Sequence, residues 1–365
     1  MSPGVTDSEQ TSPFLAAPLV VRGVTLPNRI VVSPMCQYSA TDGLPDAWHL
    51  VHLGSRAVGG AGLVFTEAAA ITPDGRITPH DAGIWSDAHT EAWRPIADFV
   101  RSQGAVAGMQ LAHAGFKAST HRPWDPEHGA IAAGDGGWQV WGPTDTPFSD
   151  TYPVPRELDE LGISRVVADF AAAARRALDA GFQVLEVHAA HGYLLHEFLS
   201  PLSNTRTDAW GGNLSNRMRL TLDVTRAVRE AAGEDVPVLV RISASDWTEG
   251  GWTGEDSVAL AAELAAAGAD LVDCSSGGVV PRAEIPVGPG YQVPLAEQVR
   301  KGADVLTGAL GMITDAAQAE QILTEGKADL VILARQLLRD PYWPRRALAE
   351  LGADPQWPAQ YIRAF

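Results

Sequence analysis

Val184-Leu185-Glu186-Val187-His188-Ala189-Ala190-His191-Gly192-Tyr193 opens as an apolar run of strand length and closes on three groups that can donate a proton or a hydrogen bond. A nearly continuous apolar run is what a parallel strand covered on both faces needs. In parallel α/β folds, ligands bind just past the carboxyl ends of such strands. His188 and His191 stand three apart, but no cysteine or carboxylate nearby completes a ligand set, and Glu186 lies inside the strand. No metal site is therefore expected. On the residues alone, two readings stay open: an imidazole pair that holds a carbonyl oxygen with Tyr193 as acid, or two packed, hydrogen-bonded histidines.

Working outward, runs of the same kind recur at 30–33, 62–66, 106–111, 184–188, 238–242, 271–274, 305–307 and 330–333. Helical patterns lie between them. Residues 164–180 place Val166, Val167, Phe170 and Ala174 on one face; 256–267 follow Thr253 with an acidic first turn and stop at Gly268; 314–325 have Thr314 as N-cap and Gly326 as stop. Eight strand–helix units predict an α/β, single-domain (β/α)8 TIM barrel. The competing doubly wound sheet lacks a Gly-x-Gly-x-x-Gly after its first strand. The domain reading is a flexible N-terminal tail over 1–12 and a barrel with a C-terminal extension over 13–365. Between the third and fourth strands, 116–161 are rich in Pro, Gly, Trp and Asp, and predict a long loop excursion over the barrel mouth.

The chain has 365 residues, 45% hydrophobic and 19% charged, with 27 basic against 44 acidic residues and a net charge of -17. That acidity argues against nucleic acid and against anionic membrane surfaces as partners, and otherwise means solubility. Cys36 and Cys274 are the two cysteines, too few for a disulfide framework, which fits a reduced, cytoplasmic setting. The first residues carry no apolar signal core, and no uninterrupted apolar run reaches the about 18 residues of a membrane span.

Polar groups gather at the strand ends: Ser33-Pro34-Met35-Cys36-Gln37-Tyr38 after the first, Gln110 and then His113 and Lys117 at the third, Arg241 in the fifth, and Ser275-Ser276-Gly277-Gly278 after the sixth. After the seventh and eighth, Gly308, Gly311, Ala334 and Arg335 read either as a phosphate site, where barrels often hold one, or as chain-turning glycines beside a surface arginine. Gln110 and Arg241 lie in apolar strands, where unpaired polar groups are costly. Either a flavin ring or a buried arginine–carboxylate pair satisfies them.

Leu26-Pro27-Asn28-Arg29-Ile30, Ser33 to Tyr38, Trp48-His49-Leu50-Val51-His52, His188 to Leu195, Phe198-Leu199-Ser200-Pro201 and Leu337-Leu338-Arg339-Asp340-Pro341 together resemble the Old Yellow Enzyme family of FMN-dependent ene-reductases. Cys36, Tyr38 and the terminal Gln360-Tyr361-Ile362-Arg363 are similar to its bacterial, thermophilic-like branch of NADPH dehydrogenases. The resemblance implies tightly bound, non-covalent FMN, NADPH or NADH as hydride donor, and reduction of the activated C=C bond of α,β-unsaturated carbonyl compounds (enones and enals) in ping-pong order. Carried over residue by residue, it places Ser33, Pro34, Met35, Cys36, Ala70, Gln110 and Arg241 around the flavin, and Leu310, Gly311, Ala334 and Arg335 at its phosphate. It makes His188 and His191 the carbonyl holders, Tyr193 the proton donor, and Tyr38, Cys36 and Arg363 substrate contacts. Arg363 would reach a neighbouring subunit's site, so a homodimer or homotetramer is implied. Two departures stand out: Ala334 where many relatives have Gly, and Leu53 where Tyr is common.

Three other functions would draw on some of the same residues. A dienoyl-thioester reductase of this superfamily needs an iron–sulfur cluster that two cysteines cannot hold. A non-redox, phosphate-binding barrel lyase or isomerase needs a strand-end lysine or a free carboxylate, for which Glu67 and Asp246 are the candidates. A non-catalytic flavin sensor would have no use for the His-His-Tyr set.

Overall fold

The computed structural model describes residues 12–365. Apart from Ser12, the expected tail lies outside the described residues. Strands β1 (Ile30–Val32), β2 (Leu63–Ala70), β3 (Val106–Ala112), β4 (Val184–Ala189), β5 (Val238–Ser243), β6 (Leu271–Ser275), β7 (Leu306–Ala309) and β8 (Leu330–Leu333) pair in chain order, all parallel, and β8 closes on β1. This is the expected (β/α)8 barrel. Its outer layer is α1 (Ala47–Val58), α2 (Asp87–Ser102), α3 (Glu160–Asp179), α4 (Leu194–Leu199), α5 (Leu214–Ala232), α6 (Gly254–Ala266), α7 (Val293–Ala303), α8 (Ala316–Thr324), α9 (Arg335–Arg339) and α10 (Trp343–Glu350).

Strand side chains alternate between two environments. Leu185, Val187, Val240, Ile242, Val272 and Cys274 pack outward against the helices in one large apolar core. Leu63, Phe65, Val106, Val184, Leu239 and Leu271 fill the lumen near the strand starts. An antiparallel hairpin, Leu19–Val21 with Val24–Leu26, adds Leu26 to that lumen cluster. Above it the alternation turns Glu186, His188, Arg241, Asp273 and Ser275 into the upper lumen.

Four expectations shift. β2 runs on to Ala70, past the expected end at residue 66, because a register shift between Phe65 and Ala68 absorbs Thr66 and Glu67. β7 sits two residues later at its carboxyl end. Helix α3 begins at Glu160 rather than 164, since the Asp159 carboxylate accepts from Gly162 N at 2.7 Å and caps it there. Helix α8 is capped by Asp315, not Thr314: Asp315 Oδ1 accepts from Gln318 N at 2.8 Å, and Thr314 lies one residue outside the helix. Thr253 does cap α6, in a reciprocal box with Asp256. Among the described residues no helix is long and apolar enough to cross a membrane.

Candidate active site

His188 projects from the end of β4 and is buried; its Nδ1 has no hydrogen-bond partner among the described residues. Past β4 the chain makes a turn in which His191 (φ 61°) and Gly192 (φ 71°) are both left-handed. A Cβ on residue 192 would lie 2.2 Å from Gly278 O, so only glycine fits. For His191 the conformation costs on the order of 1–2 kcal/mol. It persists because neighbours over-determine it. His191 N donates to Ser243 Oγ at 2.9 Å, and Lys117 Nζ donates to His191 O at 2.8 Å and to Gly278 O.

That turn brings the three groups together. Ring centroids of His188 and His191 lie 5.1 Å apart at 82°, and those of His188 and Tyr193 5.1 Å apart at 76°. Burial first, then the charge of Arg241, holds both imidazoles well below the ordinary histidine range, so each is neutral with one N–H. Ser275 Oγ lies 2.7 Å from His191 Nε2 and anchors that ring. Burial pushes the Tyr193 phenol well up, with Cys36 and Asp81 adding to it.

The first strand-end loop faces this cluster. Tyr38 is left-handed (φ 49°), and Gln37 N donates to Glu67 Oε2 at 3.0 Å, which ties the loop to β2. Glu67 Oε1 in turn lies 3.0 Å from His49 Nε2. Cys36 is half-buried and keeps its proton because burial raises the thiol. It is thus a poor nucleophile. Tyr38 and Tyr193 line one cavity of about 390 Å³ with Ile77, Lys117, Thr120 and Tyr152. The excursion between β3 and β4 therefore does wall the mouth. The strand-end carboxylates are both engaged. Glu67 holds Gln37 and His49; Asp246 takes His196 Nε2, Ser200 Oγ and Trp252 N. Neither is the free base a lyase needs.

A second cavity, of about 240 Å³, runs from His191 to Arg335 past Leu310, Gly311 and Ala334. Gly311 has φ 105°, and a Cβ there would press to 3.0 Å on Gln292 N. Ala334 has φ -108°, so its methyl carries no left-handed strain. Ser33 is buried and accepts from Arg241 Nη1 at 2.8 Å, while Arg241 Nε has no hydrogen-bond partner among the described residues. Asp273 Oδ2 lies 3.3 Å from Arg241 Nη1, so the carboxylate pair expected for Arg241 is present, and it leaves Nε unused. Gln110 Nε2 donates to Glu186 Oε1 at 2.7 Å, which aims its Oε1 elsewhere as an acceptor. Met35 packs on the main core beside Pro34 and Cys36, and Ala70 lines a narrow cleft shared with Tyr193 and Asp81. An orphaned guanidinium N–H, a glycine cradle and a cationic far end fit a flavin mononucleotide. Ser275, Ser276 and Gln292 also line this cavity, yet were not assigned from sequence. Ser275 and Ser276 follow directly on an apolar strand, a signal that was there to use. Gln292 comes from a loop and carried none. Arg363 is apart from these cavities; it lines a surface cleft with Tyr342, Trp357 and Phe365 near the C-terminus.

The profile of the NADH:flavin oxidoreductase / NADH oxidase family matches residues 15–353. The chain is 47% identical to an NADPH dehydrogenase of Geobacillus sp. (strain WCH70) over 354 residues, 96% of this chain and 98% of that one. It is 44% identical to an NADPH dehydrogenase of Bacillus subtilis (strain 168), covering 96% and 99%. Among solved structures, morphinone reductase superposes with a TM-score of 0.77 at 29% identity, covering 95% of this chain and 91% of that one. A 2-naphthoyl-CoA reductase in complex with 2-naphthoyl-CoA gives 0.83 at 28% identity; it covers 94% of this chain, which spans 52% of that one.

Proposed function

The chain belongs to the NADH:flavin oxidoreductase / NADH oxidase family, and from that premise we propose that this FMN-dependent oxidoreductase reduces the activated C=C bond of α,β-unsaturated carbonyl compounds. When bound, FMN would supply the hydride chemistry between NADPH or NADH and the β-carbon of the substrate. Ser33, Arg241 and Gln110 would hold its ring, and Gly311, Ala334 and Arg335 its phosphate end. The chain's own residues do the rest. One N–H each from His188 and His191 grips the substrate carbonyl oxygen and stabilises the charge that builds there, as an oxyanion hole does. Tyr193 delivers a proton to the α-carbon, and its high pKa keeps that proton in place until a strongly basic carbon demands it. Tyr38 and Lys117 close the mouth, and the neutral thiol of Cys36 borders the ring. Donor and acceptor share one mouth, so they alternate in ping-pong order.

The observation that carries this reading is the packing of His188 against both His191 and Tyr193, at 5.1 Å each. It is tested by anaerobic titration. NADPH should bleach the purified yellow protein, and 2-cyclohexenone should restore the colour at a rate that saturates. Bleaching with no return of colour across a panel of enones and enals would refute the substrate class while leaving the cofactor in place. We also place Arg363 in a homodimer or homotetramer, reaching a partner's mouth. Its exposed position on the C-terminal segment supports this, and an Arg363→Ala variant should raise KM for enone with little change in flavin reduction.

A further inference from the structure

Two buried carboxyl groups of the barrel lumen take no part in the steps above. We propose that both tune the cofactor: Asp273 sets the flavin's reduction potential by drawing on the charge of Arg241, and Glu186 acts as an uncharged clasp that fixes the orientation of Gln110. The inference rests on FMN occupying the barrel mouth and not on the enone reading.

The placement follows from the ladder. Gln110 pairs with Glu186 across β3 and β4, His188 with Arg241 across β4 and β5, and Asp273 with Arg241 across β5 and β6. Alternation turns Glu186, Arg241 and Asp273 into the lumen, directly above the apolar plug of Val184, Leu239 and Leu271. The layer is sealed: Glu186 and Asp273 are 0% exposed, Gln110 2% and Arg241 5%. It holds one guanidinium and two carboxyl groups. Its remaining titratable neighbours, His188 and His191, are neutral. Two anions against one cation would leave a buried charge uncompensated, so one carboxyl keeps its proton. Asp273 touches Arg241 at 3.3 Å and is the natural counter-ion. Glu186 touches Gln110 instead and stays protonated. Burial pushes both groups up, Glu186 further, because the charge of Asp273 opposes its ionisation.

A cation beside the flavin N1–C2=O edge favours the reduced form. Asp273 shares that cation and so lowers the pull on electrons. Glu186 fixes Gln110 with Nε2 inward and Oε1 free to accept from the ring. Neither Asp273 oxygen, nor Glu186 Oε2, has a hydrogen bond among the described residues. Charge therefore holds Asp273 to Arg241, while the hydrogen bond from Gln110 holds the uncharged Glu186.

The test is an anaerobic potentiometric titration of FMN-loaded, full-length protein against a reference dye, with no substrate present. Asp273→Asn should raise the midpoint potential by a factor of about ten in the reduction equilibrium, about 30 mV for two electrons. Glu186→Gln, isosteric with the protonated acid, should leave it unchanged. An unmoved potential in Asp273→Asn, or an equal shift in Glu186→Gln, would overturn the proposal. Should Asp273→Asn not fold, infrared spectra of wild type and Glu186→Gln decide. A deuterium-sensitive carboxylic-acid C=O band present in the first and missing in the second is expected, and its absence from wild type sinks the idea.

Discussion

Tyr193 and Lys117 line the same mouth, and burial acts on them in opposite directions. It raises the phenol of Tyr193 and lowers the ammonium of Lys117 to about 8, the charge of Glu197 opposing the second shift. Tyr193→Phe keeps the ring and removes the proton. Rapid-mixing traces should show reoxidation by enone slowed by about 10²-fold, in the range of general-acid effects, with reduction by NADPH nearly intact. Equal loss in both half-reactions would contradict the proton-donor role. His188→Ala removes one donor from the oxyanion, so a phenol that mimics it should bind about 1.5–3 kcal/mol more weakly. A flavin absorbance titration reads this directly. Lys117 donates to His191 O and Gly278 O and sits 4.1 Å from the Phe148 centroid, contacts that need its protons. Turnover should fall with an apparent pKa near 8, and Lys117→Gln should lose that limb. The sign for stability is opposite. Between about 8 and the ordinary 10.5 the folded chain has released a proton that the unfolded chain keeps, so this group's contribution to stability rises with pH. Neutral His188 and His191 add no acidic limb near 6.5.

At the scale of elements, the turn between β4 and α4 depends on a pair that never reaches the mouth. Gly192 N donates to His196 Nδ1 at 2.8 Å, and His196 Nε2 lies 2.9 Å from Asp246 Oδ1, both side chains fully buried. His196→Phe leaves Gly192 N without its acceptor and Asp246 Oδ1 without its donor, so it should destabilise by about 2–5 kcal/mol in a denaturant melt. Asp246→Asn should cost less, since the amide still accepts from His196. How far such elements can be read from sequence depends on what carries their signal. The barrel strands were legible because continuous apolar runs of Val, Leu and Ile have few other uses. The hairpin Leu19–Val21 and Val24–Leu26 was not, since each strand of three buries one residue only. β2 was cut short because Thr66 and Glu67 look like a strand end, whereas the bulge lets Glu67 stay buried and hold His49 and Gln37. In the site, the groups on strand ends were legible and those arriving from loops, Gln292 and Asp81, were not. Their register against the strands is a tertiary fact with no local pattern. Arg241 shows the limit from the other side: its burial is readable, but not that Asp273 takes Nη1 while Nε is left without a hydrogen bond among the described residues.

For the whole molecule, the cofactor cavity touches loops after β4, β6, β7 and β8, so one ligand ties together segments far apart in the chain. Arg241 Nε has no hydrogen-bond partner among the described residues, and at Gly311 a Cβ would press on Gln292 N, so both suit a bound FMN. Occupancy then stabilises by mass action: at a free concentration one thousand times Kd the gain is about 4 kcal/mol. Stripping FMN with chaotropic salt and dialysis should therefore lower Tm by several degrees, and adding FMN back should restore it in proportion to the logarithm of its concentration. Riboflavin separates the two ends of the cavity. It keeps the ring contacts with Arg241 and Gln110 but lacks the phosphate assigned to Gly311 and Arg335. It should recover only part of the shift, and Arg335→Ala should bring the FMN curve down onto the riboflavin one. If FMN and riboflavin stabilise the wild-type protein equally, the region after β7 and β8 is not the phosphate end, and the cofactor must lie differently across the barrel mouth.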